Sequence, residues 1–144
     1  MKTYTKEDLE KLGLSYDPET ETLHSSSDLN LTDDVNVNVN LKIDGSFSCS
    51  GFVRAKNISA TGKVSAAVLC CTSINAYSIN VKSNLLYASQ RITCASTLIA
   101  HGKVEARNID SKIIIVHGPI DALNISAEKF TIYGNISCKS LVSK

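Results

Sequence analysis

The sequence predicts an all-β protein: a single-stranded triangular parallel β-helix of about seven coils, preceded by a short N-terminal capping helix. Three observations carry this. The first is a sixteen-residue repeat near the C-terminus. Gly102, Gly118 and Gly134 fall in one column, Val104, Ile120 and Ile136 in a second, and Ile109, Ile125 and Leu141 in a third. The second is a finer step within that repeat. From Leu29 to Leu141 an apolar residue recurs every five or six positions, and two places after most of them stands a small or apolar one, such as Ala55, Ala66, Ala76, Ala106 or Ala122. The third is what this period excludes. A helix would repeat its apolar stripe at three and four, and a long antiparallel strand would alternate further before its hairpin. Strands of about three residues, first and third side chains inward, separated by two or three turn residues, fit the pattern.

The N-terminal segment, residues 1–28, reads as cap and linker. In "TKEDLEKLG" Thr5 is the N-cap, acidic residues fill the first turn, and Gly13 is the stop. Leu9 and Leu12 are expected on one face, and "DPET" at 17–20 is a turn. A solenoid exposes apolar interior and open backbone at each end, so this helix is expected to close one of them.

Residues 29–144 form the solenoid. Sorting every third apolar position gives three faces. The first carries Val35, Val53, Leu69, Leu86, Val104, Ile120 and Ile136. The second carries Leu41, Ile58, Ile74, Ile92, Ile109, Ile125 and Leu141. The third carries Leu29, Phe47, Val64, Ile79, Leu98, Ile114 and Phe130. "NVNVNLKI" would suit a plain alternating strand, but it also keeps the register, with Val35 and Val37 on one face and Leu41 and Ile43 on the next. Between Ile79 and Leu98 the spacing loosens, so a bulge is expected around "KSNLLYASQR". At the C-terminus the pattern runs to Leu141, and that end is expected to be open.

Composition narrows the function classes. Net charge is +1 and charged residues make up 20% of 144, so bulk charge points away from direct nucleic-acid binding. No apolar run reaches membrane-span length and no signal-peptide apolar region opens the chain; the expected compartment is the cytoplasm, with no membrane. Five cysteines without a CxxC pair argue against a disulfide framework or zinc site. Cys49, Cys71, Cys94 and Cys138 fall at inward small positions, and Cys70 points outward beside Tyr87.

Chemistry is sparse. His101, His117 and Tyr133 share a column without an oriented partner, and so read as planar turn residues rather than a metal or acid–base ladder. Gly102, Gly118 and Gly134 read as corners needing positive φ; no phosphate-cradling glycine motif occurs. No catalytic residue, cofactor or metal site is expected. Trimeric hexapeptide acyltransferases also use triangular β-helices, but they keep a strict six-residue step and a catalytic His on a protruding loop. Here the step is mostly five-five-six.

The phrases "GFVRAKNISATGKVSA", "GKVEARNIDSK" and "GPIDALNISAEKFTIYGNI" carry a Gly-x-apolar-x-Ala-x-x-apolar pattern over roughly residues 29 to 141. In this the sequence resembles bactofilins, bacterial cytoskeletal proteins built on a triangular right-handed β-helix. The resemblance implies a right-handed coil and end-to-end polymerisation without nucleotide. The chain is expected to depart from the bactofilin pattern, in which two free ends are flanked by disordered tails, by its N-terminal cap and by a lack of such tails. Its repeats also look like those of compact proteins carried by phages and mobile elements, where inhibitors of host complexes such as CRISPR effectors are found.

The expected function is therefore non-enzymatic, stoichiometric protein binding, as an inhibitor (such as an anti-CRISPR protein) or adaptor. The alternatives are a bactofilin-like self-assembling scaffold and, less in keeping with the step, an acyltransferase. Ile136, Cys138 and Leu141 of the last coil are expected to pair two copies. A protein partner is expected on the outward columns: Ile99, Ile113 and Ile115 as an apolar patch, and Tyr87, Glu105 and Asp121 as a partly acidic one.

Overall fold

The computed structural model describes residues 2–144 and is a β-solenoid of about seven turns with one short helix. The chain opens with β1 (Thr3–Tyr4), α1 (Lys6–Lys11), β2 (Ser15–Asp17) and β3 (Thr22–Ser25). Short strands follow, one per side of the triangle: β4 (Leu29–Leu31), β5 (Asp34–Asn36), β6 (Asn40–Ile43), β7 (Phe47–Cys49), β8 (Phe52–Arg54), β9 (Asn57–Ala60) and β10 (Lys63–Ala66). In the middle, strands run unbroken around corners: β11 (Val68–Ala76), then β12 (Ser78–Val81), β13 (Leu85–Ala100) and β14 (Lys103–Val116). The last coils return to short strands, β15 (Ile120–Asp121), β16 (Asn124–Ala127), β17 (Lys129–Ile132), β18 (Ile136–Ser137) and β19 (Ser140–Ser143).

All the strand pairings along the solenoid are parallel, and they stack like on like. The first face runs Val35, Val53, Leu69, Leu86, Val104, Ile120, Ile136. The third runs Leu29, Phe47, Val64, Ile79, Leu98, Ile114, Phe130. These are the predicted columns. Side chains alternate buried and outward within each strand, as in β6 and β10, because successive Cβ atoms point to opposite sides of the sheet. The "NVNVNLKI" segment is two strands on two faces, β5 and β6, with Val37 and Val39 buried at the corner between them.

Four expectations are corrected. Two faces begin one coil early: on the second Leu23 of β3 stacks under Leu41, and on the first Tyr4 of β1 stacks under Val35. The ladder thus starts inside the segment read as cap and linker, because β2 folds back antiparallel on β3 across the Glu21 turn and brings that segment into register. Leu12 is exposed rather than paired with Leu9; the helix buries Leu9 fully and the chain after it buries Leu14. Cys138 is exposed, since no coil lies over its inward position. Finally, Gly102, Gly118 and Gly134 do not have positive φ, which among the glycines belongs to Gly13 and Gly45. Their column needs glycine for space. A Cβ on Gly118 would collide with the Gly102 carbonyl one coil below, and one on Gly134 with the Gly118 carbonyl.

The expected irregularity is present as a register shift between Ala88 and Arg91, where β13 carries an extra residue against β14. Further shifts occur between Cys94 and Thr97 and between Cys71 and Ser73. α1 carries a full capping box: the Thr5 N–H donates to Asp8 Oδ2 at 3.0 Å and the Asp8 N–H donates to Thr5 Oγ1 at 3.4 Å.

Candidate functional site

The two ends of the prism differ. At the N-terminal end Leu9, Leu14 and Leu23 are buried, so α1 and the β2–β3 hairpin close the interior. At the C-terminal end the last rung lies open. Ile136 is 44% exposed, Leu141 49% and Val142 50%, and Cys138 is exposed beside them. Phe130 and Ile132, one strand earlier, are only partly buried. The inward columns of three faces therefore terminate in solvent. Among the described residues β17, β18 and β19 pair only on their inner side, which leaves an unsatisfied backbone edge around the same rim. The self-association residues Ile136, Cys138 and Leu141 are thus on one surface, and the structure adds Val142 and Tyr133 to it.

Tyr133 ends a column of stacked rings. His101 and His117 lie 5.1 Å apart between centroids and 4° from parallel; His117 and Tyr133 lie 4.8 Å apart at 11°. Each ring face inside the column is covered by the next ring. Parallel rings at this spacing do not converge on one point, and among the described residues no three His, Cys, Asp or Glu side chains gather as metal ligands.

The six residues expected to bind a partner divide between two faces. Ile99 and Ile115 are register neighbours on the third face, with Ile113 in the adjoining outward column. All three are half-buried, because stacked side chains cover one another's flanks. Tyr87, Glu105 and Asp121 form the outward column of the first face and line a shallow groove of 290 Å³ with Arg107. That groove is not uniformly acidic. Lys103 Nζ stands 3.7 Å from Glu105 Oε2, and Arg107 lines the same groove.

One pairing was not anticipated. His24 Nε2 lies 2.7 Å from Asp44 Oδ2, on the second face beside the N-terminal cap. Ser15 sits opposite His24 in the antiparallel β2–β3 ladder, but no hydrogen bond joins Ser15 to His24 among the described residues. Nucleophilic catalysis needs that contact, so the pair stands as a surface hydrogen bond. Its signal was available, since His24 and Asp44 are one coil apart once the ladder is begun at Leu23.

No protein-family model, curated protein or solved structure matches this chain.

The thiols sort by depth. Burial pushes the Cys71 thiol up to about 12 and the Cys94 thiol up to about 11; it also raises Cys49 and Cys70. In all four, burial favours the protonated thiol over the thiolate, which works against a nucleophilic role. Ser111, fully buried in the same inward column as Cys94, has the carbonyls of Ser96 at 3.1 Å and Ile113 at 2.9 Å as the two acceptors within reach of its one hydroxyl proton. Among the described residues no helix is long and apolar enough to cross a membrane.

Proposed function

We propose that this chain is a non-enzymatic binding protein that acts stoichiometrically on a protein partner, in the manner of a phage or mobile-element inhibitor (an anti-CRISPR protein being one kind) or an adaptor. In this reading it pairs with a second copy through its C-terminal coil. The observation that carries the reading is the asymmetry of the ends: Leu9 fully buried at one, and Ile136, Leu141 and Val142 half-exposed at the other.

The physical case runs from that asymmetry to a closed assembly. An open edge with half-exposed apolar side chains gains by being covered. A second identical end can cover it through a two-fold axis perpendicular to the prism. That operation reverses strand direction, so edge strands of the two copies meet antiparallel. Once paired, each copy presents only its capped end, and growth stops at two. A bactofilin-like scaffold is the second reading, supported by the triangular parallel solenoid and the open end, but an end-to-end filament requires both ends free. The fold also suits hexapeptide acyltransferases, but their strict six-residue step is not kept here, and among the described residues Ser15, the hydroxyl opposite His24, makes no hydrogen bond to it.

Light scattering after size exclusion, over a dilution series, tests the reading. A monomer in equilibrium with a species of twice the mass is expected. Growing, polydisperse masses would favour the scaffold, and a monomer at all concentrations would remove the paired end.

A further inference from the structure

We propose that the third face is the docking surface for an acidic protein segment carrying aliphatic side chains. The proposal deepens the binding-protein reading and rests on it for the class of partner. Its ground is a charge asymmetry that register alone makes visible.

The outward side of the third face, from β10 to β17, has three columns. One is Lys63, Ser78, Thr97, Ile113 and Lys129. The next is Ser65, Asn80, Ile99, Ile115 and Thr131. The last, at the corner, is Ala67, Lys82, His101, His117 and Tyr133. No Asp or Glu occurs at any of these positions. By contrast the first face carries Glu105 and Asp121, and the second carries Asp110. Lys63, Lys82 and Lys129 are exposed, and none of them makes an ion pair among the described residues. The centre of the face is Ile99, Ile113 and Ile115. An apolar centre flanked by Lys63, Lys82 and Lys129, with Glu128 as the one carboxylate at the bordering corner beside Lys129, is complementary to an anionic surface with aliphatic anchors.

Two features define how such a segment would lie. A groove of 370 Å³ crosses the face beside the isoleucines, lined by Lys63, Tyr77, Asn80, Thr97 and Ile99. Asn80 Oδ1, in that groove, is the one buried side-chain oxygen or nitrogen without a hydrogen-bond partner among the described residues. The Asn80 side chain would have to turn outward before a backbone N–H of an extended segment could reach that oxygen. Carboxylates on the segment would then reach Lys63 and Lys129.

A nucleic acid fits less well. Binding to single strands uses open ring faces on which bases stack, and the His101 and His117 faces toward one another and toward Tyr133 are already occupied. The rim also supplies only three lysines, few against the phosphate contacts that sustain such binding.

The test uses the full chain, isotope-labelled, and three probes: a synthetic peptide of alternating Glu and Leu, its Lys–Leu counterpart, and a single-stranded oligonucleotide. The Glu–Leu peptide is expected to bind, to shift the methyl signals of Ile99, Ile113 and Ile115, and to weaken at least tenfold in a variant carrying Lys63→Glu and Lys129→Glu. Both substitutions are at exposed positions and leave the core intact. No shift, shifts on another face, stronger binding of the Lys–Leu peptide, or stronger binding of the oligonucleotide each overturns the proposal. Self-pairing is read separately. Peptide binding by a chain that stays monomeric would keep this face and remove the paired end; a two-copy species blind to the peptide would do the reverse.

Discussion

Replacing Ile136 with Asp perturbs the open end with little effect on the fold. Ile136 is 44% exposed in the single chain, so its substitution removes only part of a buried side chain from the last coil, and a folded monomer is expected. In the pair the consequence is larger. Fully burying a Leu, Ile or Val side chain contributes about 1.5–3 kcal/mol, so covering the remaining half of Ile136 contributes about 1 kcal/mol per copy. The two-fold axis doubles every change: losing both isoleucines costs the pair about 2 kcal/mol, roughly thirtyfold in affinity. Each new carboxylate must also shed water at the interface, with an effective penalty of several kcal/mol per ion. The dissociation constant should therefore rise by more than about a thousandfold. Sedimentation velocity across a concentration series reads it, with circular dichroism confirming the fold. A variant that pairs as the parent does would refute the terminal-coil interface.

Other consequences follow from the same geometry. In the native protein at pH 8, Cys138 should react fast with a thiol reagent and Cys71 and Cys94 only after unfolding, because burial holds their thiols protonated. Cys138 should also slow as protein concentration rises, if pairing covers it; mass-resolved labelling checks both. Gly118→Ala should destabilise by about 1–3 kcal/mol through overpacking, read as a lower melting temperature. If positive φ rather than space were the constraint, Gly13→Ala would cost more than Gly118→Ala. Hydrogen bonds from the Thr5 backbone and hydroxyl hold the Asp8 carboxyl below its ordinary range. A depressed carboxylate stabilises above its unfolded pKa of about 3.9 and loses that contribution as pH falls through the folded value. Amide exchange in α1 should therefore accelerate at acid pH before the solenoid opens, and Asp8→Asn should abolish the difference.

Much of the fold was legible because the period is so restrictive. A ladder that stacks Ile109 on Ile125 and Ile114 on Phe130 leaves the same mark in sequence as in space. What escaped were features that depend on the distance between coils rather than on the step. The Gly102–Gly118–Gly134 column looked like turn conformation, while its cause is a carbonyl of the coil below. The start of the ladder was missed although Leu23 keeps the six-residue step before Leu29, because the helix and the antiparallel β2 just ahead of it read as a separate cap. His24–Asp44 was lost with it. For the candidate surfaces, Ile99 beside Ile115 and Glu105 beside Asp121 were readable from register. That these lie on different faces was also readable, as was the corner column with Lys82, but the contact of Lys103 with Glu105 requires the side chains to be placed.

Small-angle scattering of the paired species gives the plainest check on one closed and one open end. Eight rungs of the second face, from Leu23 to Leu141, span roughly 34 Å at the strand spacing. Two copies joined end to end should have a longest dimension of about 70 Å, set by twice that span. A particle of two-copy mass whose length stays near that of the single chain would mean the copies meet side by side, and would contradict pairing through the C-terminal coil.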